Sequence, residues 1–138
     1  WIQSGSTLMN NGCSWFGSFV ILTHDEELLV SCFGSDRVYY YEKQKNGNEY
    51  VLQQSIEFDN DVNSIAADGN VMVVSEHREG RSEVIRFFER KNHVWEEVDR
   101  IDEPTFDESF GYRVALFGNA TLVASHRNVY QLEDYFSS

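Results

Sequence analysis

Two His-Arg pairs are the side chains of this chain whose type and position best fit a binding site. His77-Arg78 and His126-Arg127 each follow a short apolar segment, three residues after its valine. Neighbouring cationic side chains can hold a carboxylate or a phosphate through charge-assisted hydrogen bonds. The simpler interpretation, which we favour, is that both pairs are solvated loop residues or partners of nearby acids such as Glu76 and Glu79.

The other polar residues form no recognisable metal or catalytic motif. Residues 59–63 (Asp-Asn-Asp-Val-Asn) place oxygen donors at alternate positions, as the start of an EF-hand loop does, but lack its central Gly and closing Glu. We interpret them as an acidic connector. No His or Cys pair has zinc-type spacing, and no nucleophile motif is present. We therefore predict no metal, no cofactor and no catalytic residue.

Composition excludes several classes of protein. The net charge of −12 repels phosphate backbones, so we expect no nucleic-acid partner. No apolar run approaches the ~20 residues of a membrane-spanning helix. Two cysteines, Cys13 and Cys32, are too few for a disulfide scaffold. A single bridge between them is one alternative; we favour two free thiols, with Cys32 in a strand and Cys13 in a loop.

An internal repeat supplies the elements that would position these residues. Phe16-Gly17 recurs as Phe110-Gly111, and the copy between them carries Asp61-Val62 instead. Each unit has two apolar strands around a turn, a third strand ending in Glu, and a fourth strand with an aromatic residue six positions before Ile. The third strands are Val38–Glu42, Ile85–Glu89 and Val129–Glu133; the fourth strands are Tyr50–Ile56 and Trp95–Ile101. Four strands in about 45 residues are typical of a propeller blade.

The repeat predicts a single array over residues 1–138. It comprises the last strand of a preceding blade (1–9), two complete blades (16–57 and 61–102) and a third that lacks its fourth strand (110–136). The fold class is therefore all-β: about three tandem four-stranded antiparallel blades of a β-propeller, a partial array of twelve strands. Closed propellers typically have about four to eight blades, so we expect no closed ring from one chain.

The repeat units resemble FG-GAP blades, the units of integrin-α-type propellers. The resemblance lies in the run from Phe110 to Leu116, in Leu122–Ser125, in Ile85–Arg90 and in Trp95. The Gly-Ala-Pro of the family and its Asp-rich calcium loop are absent, so the resemblance does not carry calcium binding to this chain.

The resemblance implies a non-catalytic binding or scaffolding module that engages a protein or a glycan. The alternative is part of a propeller hydrolase or lyase whose active site lies elsewhere. The resemblance also favours a secreted or cell-surface location, with which the glycosylation sequon at Asn119 agrees without establishing it. Expected partners are neighbouring blades of a longer chain, or a second molecule joined through open edge strands.

The register of the repeat predicts which side chains are buried. Val30, Val74 and Val123 occupy equivalent positions in the second strands. We expect all three to be nearly fully buried between sheets, since a register shifted by one residue would turn them to the opposite face.

Overall fold

The computed structural model describes residues 3, 5, 7–10, 12–32, 34–79, 83–102, 110–118, 120–125 and 127–132. These residues form eleven β-strands and no helix, which confirms the all-β prediction. The first sheet contains β1 (Phe16–Leu22), β2 (Leu28–Cys32), β3 (Arg37–Lys43) and β4 (Tyr50–Glu57). The second contains β5 (Val62–Asp68), β6 (Val71–Glu76), β7 (Val84–Lys91) and β8 (Val94–Ile101). The third contains β9 (Arg113–Phe117), β10 (Ala120–Ala124) and β11 (Val129–Leu132).

Each sheet is an antiparallel meander in which neighbours in sequence are neighbours in space. The tight turns require residues that accept a positive φ. Glu26, Gly69 and Gly118 have φ of 58°, 58° and 57° in the three turns that join the first two strands of each sheet. Asn92 and His93 both have positive φ between β7 and β8, as a two-residue type I′ hairpin turn demands.

The repeated Phe-Gly has a structural reason in the third sheet. Gly111 has φ of 95°, and a Cβ added there would lie 2.5 Å from the Cβ of Glu83. Gly17 of the first copy also has a positive φ, 90°, where the pairing of β1 with β2 shifts register. Glycine is needed because the backbone is left-handed at both positions and, at Gly111, because a neighbour approaches closely.

The sheets stack face to face, and apolar side chains fill the spaces between them. The first interface, between the first and second sheets, is centred on buried Leu29, Val38, Tyr40, Met72, Val74 and Phe88. The second interface, between the second and third sheets, is centred on buried Val73, Ile85, Phe87, Phe110 and Val123. The first strands meet along one edge of the stack, because β5 contacts both β1 and β9.

Polar side chains join the sheets at both edges of the stack. At the edge where the first strands meet, Asn63 Nδ2 donates to the carbonyl of Tyr112 (3.0 Å), and Asp68 accepts from Gly118 N (2.8 Å). At the opposite edge the Gln54 amide forms two hydrogen bonds with the backbone of Trp95, at 3.0 and 2.8 Å. The Gln54 contact satisfies backbone groups of the edge strand β8 that would otherwise be left unpaired.

The three repeated valines are buried, as predicted, but only Val74 and Val123 lie between sheets. Val30, Val74 and Val123 have relative exposures of 3%, 0% and 0%. All three lie on the face that points toward the preceding part of the chain. For Val30 that face is not covered by a sheet: Leu8 and Cys13 pack over it instead.

The two cysteines correct the favoured interpretation of the sequence. Cys13 and Cys32 form a disulfide whose Cα atoms are 6.2 Å apart, and no free cysteine is present among the described residues. The prediction of two free thiols is therefore wrong. Spacing alone could not reveal the bond, because the chain turns back at Trp15 and brings Cys13 over the end of β2.

The N-terminal residues pack as a cap. We use this name for residues 7–10 and 12–15, in which Leu8 and Cys13 cover Val30, Tyr39 and Tyr41 on the outer face of the first sheet. Residues 3, 5 and 7–9 are described, and none of them lies in a strand. Assignment of residues 1–9 to a preceding blade remains a prediction.

Candidate binding surface at the loop end of the sheets

The loop end of the stack carries the connections that follow each second strand and each complete sheet. Here residues 58–61 cross from the first sheet to the second. Three backbone hydrogen bonds hold this crossing: Phe58 N to Asp36 O (2.7 Å), Val62 N to Ser35 O (2.8 Å) and His77 N to Asp61 O (2.8 Å). The acidic connector predicted from the sequence is therefore a well-bonded part of the fold.

A buried ion pair between Glu76 and Arg86 also holds residues 58–61 in place. Glu76 has no exposed surface and contacts the guanidinium of Arg86. Its carboxylate also accepts from the backbone N and the side-chain Nδ2 of Asn60, at 3.1 and 3.0 Å. A second nitrogen of Arg86 bonds Asp59 at 2.9 Å. Neighbouring acids thus balance the buried cation, as a stable buried charge requires.

The pKa of Arg86 reports the balance of these contacts. Burial disfavours the charged guanidinium, but the nearby carboxylates, Glu76 first, outweigh it and raise the pKa above its ordinary value. Arg86 therefore stays charged. Its guanidinium also lies 5.3 Å from the centre of the Phe58 ring, a cation–π contact.

A polar depression of about 460 Å³ opens between this crossing and residues 12–14 around Cys13, which we call the disulfide loop. Its lining combines hydroxyl, amide and carboxylate side chains with glycine and the disulfide, from Gly12, Cys13, Ser14, Gly34, Ser35, Asp36, Asp59, Asn60 and Asp61. Asn60 and Asp61 also line an adjoining depression with His77 and Glu79. The loop end therefore presents oxygen-rich, negatively charged hollows.

In the sequence, Trp15 immediately follows Ser14, one of the residues that line the depression. Its side chain is 78% exposed, and its backbone has φ of 60°. Ser18 holds that conformation by donating to the Trp15 carbonyl through both its backbone N (3.1 Å) and its Oγ (2.6 Å). A large aromatic side chain held exposed in a strained backbone conformation is a recurrent feature of binding sites.

The first predicted His-Arg pair is engaged within the chain. His77 Nδ1 lies 2.9 Å from Glu83 Oε1, and Arg78 bonds both the side chain (3.2 Å) and the carbonyl (2.6 Å) of Asp102. The acids are not the sequence neighbours Glu76 and Glu79 but residues brought close by the fold. Burial raises the pKa of Glu83, and His77 and Arg78 partly offset that rise.

Of the second His-Arg pair and the sequon residue Asn119, only Arg127 lies among the described residues. Arg127 is exposed, and its backbone N donates to Ser125 Oγ at 3.2 Å. His126 and the sequon residue Asn119 lie outside the described residues. Anion binding by the two His-Arg pairs together therefore stays a prediction.

The turn end, opposite the loop end, holds a polar network that the sequence analysis did not find. Potential metal-ligand atoms of Glu27, Glu42 and His93 converge there within 4.8 Å of one another. The guanidinium of Arg90 already contacts Glu27, and His93 Nδ1 lies 2.7 Å from Glu42 Oε1. These contacts join the first and second sheets, so a cation would have to displace Arg90 to enter.

Tyr40 connects this network to the core. Its hydroxyl donates to Glu42 (2.7 Å) and accepts from Arg90 (3.2 Å). Burial, and then the Glu42 carboxylate, raise the pKa of Tyr40 above its ordinary value. The sequence signal that could have revealed the network was the equivalence of Tyr40 with the buried Phe87 of the next unit, which implies that a hydroxyl is buried.

Comparison of the chain with protein-family models, curated proteins and solved structures finds no match. Among the described residues, no helix could cross a membrane.

Proposed function

We propose that this chain is a non-catalytic binding module made of FG-GAP-like propeller blades, with its ligand surface at the loop end. The observation that carries the proposal is the polar depression between the disulfide loop and residues 58–61; the exposed Trp15 directly follows its lining residue Ser14 in the sequence. Backbone bonds and the Glu76–Arg86 pair hold its walls in place. A preformed site of this kind loses little entropy on binding.

The blade assignment has support from the repeated architecture. The four-stranded meanders stack face to face, the first strands share one edge, and the equivalent valines point in the same direction. In a propeller, first strands line the central axis and connecting loops gather on one face. The candidate ligand surface would lie on that face.

The charges of the site indicate the kind of ligand. Asp36, Asp59 and Asp61 line the depression, while the nearby side chains of His77 and Arg78 are paired with acids of the chain. An anion would meet these carboxylates and would have to compete with Glu83 and Asp102 for His77 and Arg78. A hydroxyl-rich glycan fits better, because carboxylate and amide groups hydrogen-bond its hydroxyls and Trp15 offers an apolar surface for a sugar ring.

Titration of the chain with neutral oligosaccharides tests this proposal. We expect NMR amide shifts confined to the disulfide loop and residues 35–36 and 59–61, and a change in Trp15 emission that Trp15→Phe removes. Asp61→Asn should weaken binding about tenfold, as loss of a charge-assisted hydrogen bond does. Glu57→Gln, an exposed acid on β4 outside the depression, is the matched control.

Two results would contradict the ligand assignment. Shifts elsewhere on the chain, with the loop end unchanged, would place the site on another surface. Saturable binding of a basic peptide at the loop end, with no response to oligosaccharides, would replace the glycan by a protein ligand.

A further inference from the structure

The two walls of the polar depression are held in place by different means. Residues 58–61, on one side, are fixed to the first and second sheets by three backbone hydrogen bonds and by the Glu76–Arg86 pair. The disulfide loop, on the other side, is joined to the first sheet by the bond between Cys13 and Cys32. The position of this second wall therefore depends on one covalent bond.

No hydrogen bond reinforces that bond in the described part of the chain. Among the described residues, those of 7–10 and 12–14 form hydrogen bonds only within the N-terminal segment itself. Packing of Leu8 and Cys13 on the outer face of the first sheet adds an apolar contact. Reduction would thus leave the disulfide loop held by this packing and by its connection to Trp15.

The two cysteines differ in their accessibility. Cys32 has no exposed surface, whereas Cys13 is partly exposed and lines the depression. A thiolate can therefore reach the bond from the depression, at the sulfur of Cys13. A ligand that fills the depression would cover the same approach, so reductant and ligand would compete for one volume.

We propose that the Cys13–Cys32 bond is a redox switch for the loop-end ligand site, and that the oxidised form binds the ligand. The switch rests on the proposed function, because it concerns the same depression. In the oxidised chain both walls are fixed and the site is preformed. In the reduced chain the sheets keep their fold while residues 12–14 are released, so that binding must order them again at a cost in conformational entropy.

The switch operates by thiol–disulfide exchange with a dithiol reductant. One thiolate of the dithiol attacks Cys13 Sγ, the bond between the two Sγ atoms breaks, and Cys32 leaves as a thiolate that takes up a proton. The second thiolate of the dithiol then attacks the mixed disulfide, which releases Cys13 as a thiol and the reductant as its own disulfide. Two electrons and, through solvent, two protons pass from the dithiol to the chain, and a disulfide oxidant reverses both steps.

Titration of the oxidised and the reduced chain with the same panel of neutral oligosaccharides, of glucose, mannose and N-acetylglucosamine, tests the switch. We expect reduction to raise the dissociation constant about tenfold, because the bound loop must be ordered. The double variant Cys13→Ser/Cys32→Ser should bind as the reduced chain does, with or without reductant. Glu57→Gln, outside the depression, should keep the full difference between the two forms.

Thermodynamic linkage supplies a second measurement on the unchanged chain. A ligand that binds the oxidised form about tenfold more tightly must favour the disulfide by the same factor when it saturates both forms. The ratio of oxidised to reduced chain in a buffer of reduced and oxidised dithiothreitol should therefore rise about tenfold with saturating oligosaccharide. Thiol alkylation followed by mass spectrometry measures that ratio.

NMR separates local release of the loop from unfolding. On reduction, amide shifts should change in residues 7–10 and 12–15. The amides of Val73, Ile85 and Phe87, in the second interface, should keep their positions.

Two results would overturn the switch. They are equal affinity of the oxidised and reduced forms for the oligosaccharide, and a reduced chain that loses amide dispersion in all three sheets. Both would leave the proposed function standing, because the oxidised chain still binds at the loop end. Absence of oligosaccharide binding by either form would overturn the proposed function itself, and the switch with it.

Discussion

Val74 shows at the scale of one residue how the register of the repeat determines stability. It is fully buried in the first interface, whereas Val98, on the outer strand β8, is 40% exposed. We expect Val74→Ala to cost about 1–3 kcal/mol of unfolding free energy, from lost apolar burial and a residual cavity. Val98→Ala should cost less than about 0.5 kcal/mol. Urea unfolding measures both, and equal costs would show that the register is wrong.

Glu83 should make stability depend on pH. Burial raises its pKa above the usual 4.5, with His77 and Arg78 offsetting part of the shift. The folded state therefore binds this proton more tightly than the unfolded state. The resulting stabilisation is present in full below pH 4.5 and is lost as the pH rises through the folded-state pKa.

The comparison of Glu83→Gln with the parent chain isolates this effect. The free energy of unfolding of the parent should fall, relative to the variant, as the pH rises from about 4 to 7. Glu79→Gln, an exposed acid of the same loop, should keep the slope of the parent. A difference between the parent and Glu83→Gln that does not change with pH would show that Glu83 titrates normally.

At the scale of elements, the Cys13–Cys32 disulfide ties the cap to β2. It closes a segment with a sequence separation of 19, and the cap covers Val30, Tyr39 and Tyr41. We expect reduction to cost about 2–4 kcal/mol of unfolding free energy, as cross-links of this length typically do. Thermal unfolding with and without reductant measures the loss.

The control for this prediction is the double variant Cys13→Ser/Cys32→Ser. Its melting temperature should equal that of the reduced parent and should not respond to reductant. Titration of two accessible thiols in the native, unreduced chain would show that the bond is absent.

The sheets show why strands were predictable and their cross-connections were not. The apolar period of two and the turn signals lie within each segment, so β2, β6 and β10 could be placed from local sequence. The contact of Gln54 with Trp95 joins residues 41 apart, and nothing near either residue indicates it. Such pairs depend on how one sheet lies against the next.

At the scale of the whole molecule, we expect Ca²⁺ not to raise the melting temperature. Asp59 of the acidic connector is paired with Arg86, and Asn60 bonds the buried Glu76. The one convergent acid-histidine group among the described residues contains Arg90 as its cation. The melting temperature in millimolar Ca²⁺ should equal that in Mg²⁺ at the same ionic strength, which controls for screening of the net charge of −12. A shift of several degrees specific to Ca²⁺ and reversed by chelator would reveal a cation site.

The sequence by itself predicted the strands of the three repeat units and the burial of Val30, Val74 and Val123. These features follow from local alternation of apolar residues and from turn residues that accept positive φ. The repeat also predicted units of four strands, because equivalent residues recur at similar spacing.

Only the tertiary structure decided which distant side chains meet. Cys13 bonds Cys32 because the chain reverses at Trp15, and His77 pairs with Glu83 rather than with its neighbours. Glu76 is buried because residues 58–61 cross over it, with Asn60 donating to its carboxylate, and because Arg86 lies beside it. Disulfides, ion pairs and pockets require particular atoms from separate segments to converge. That convergence is set by how the sheets stack, and no local pattern records it.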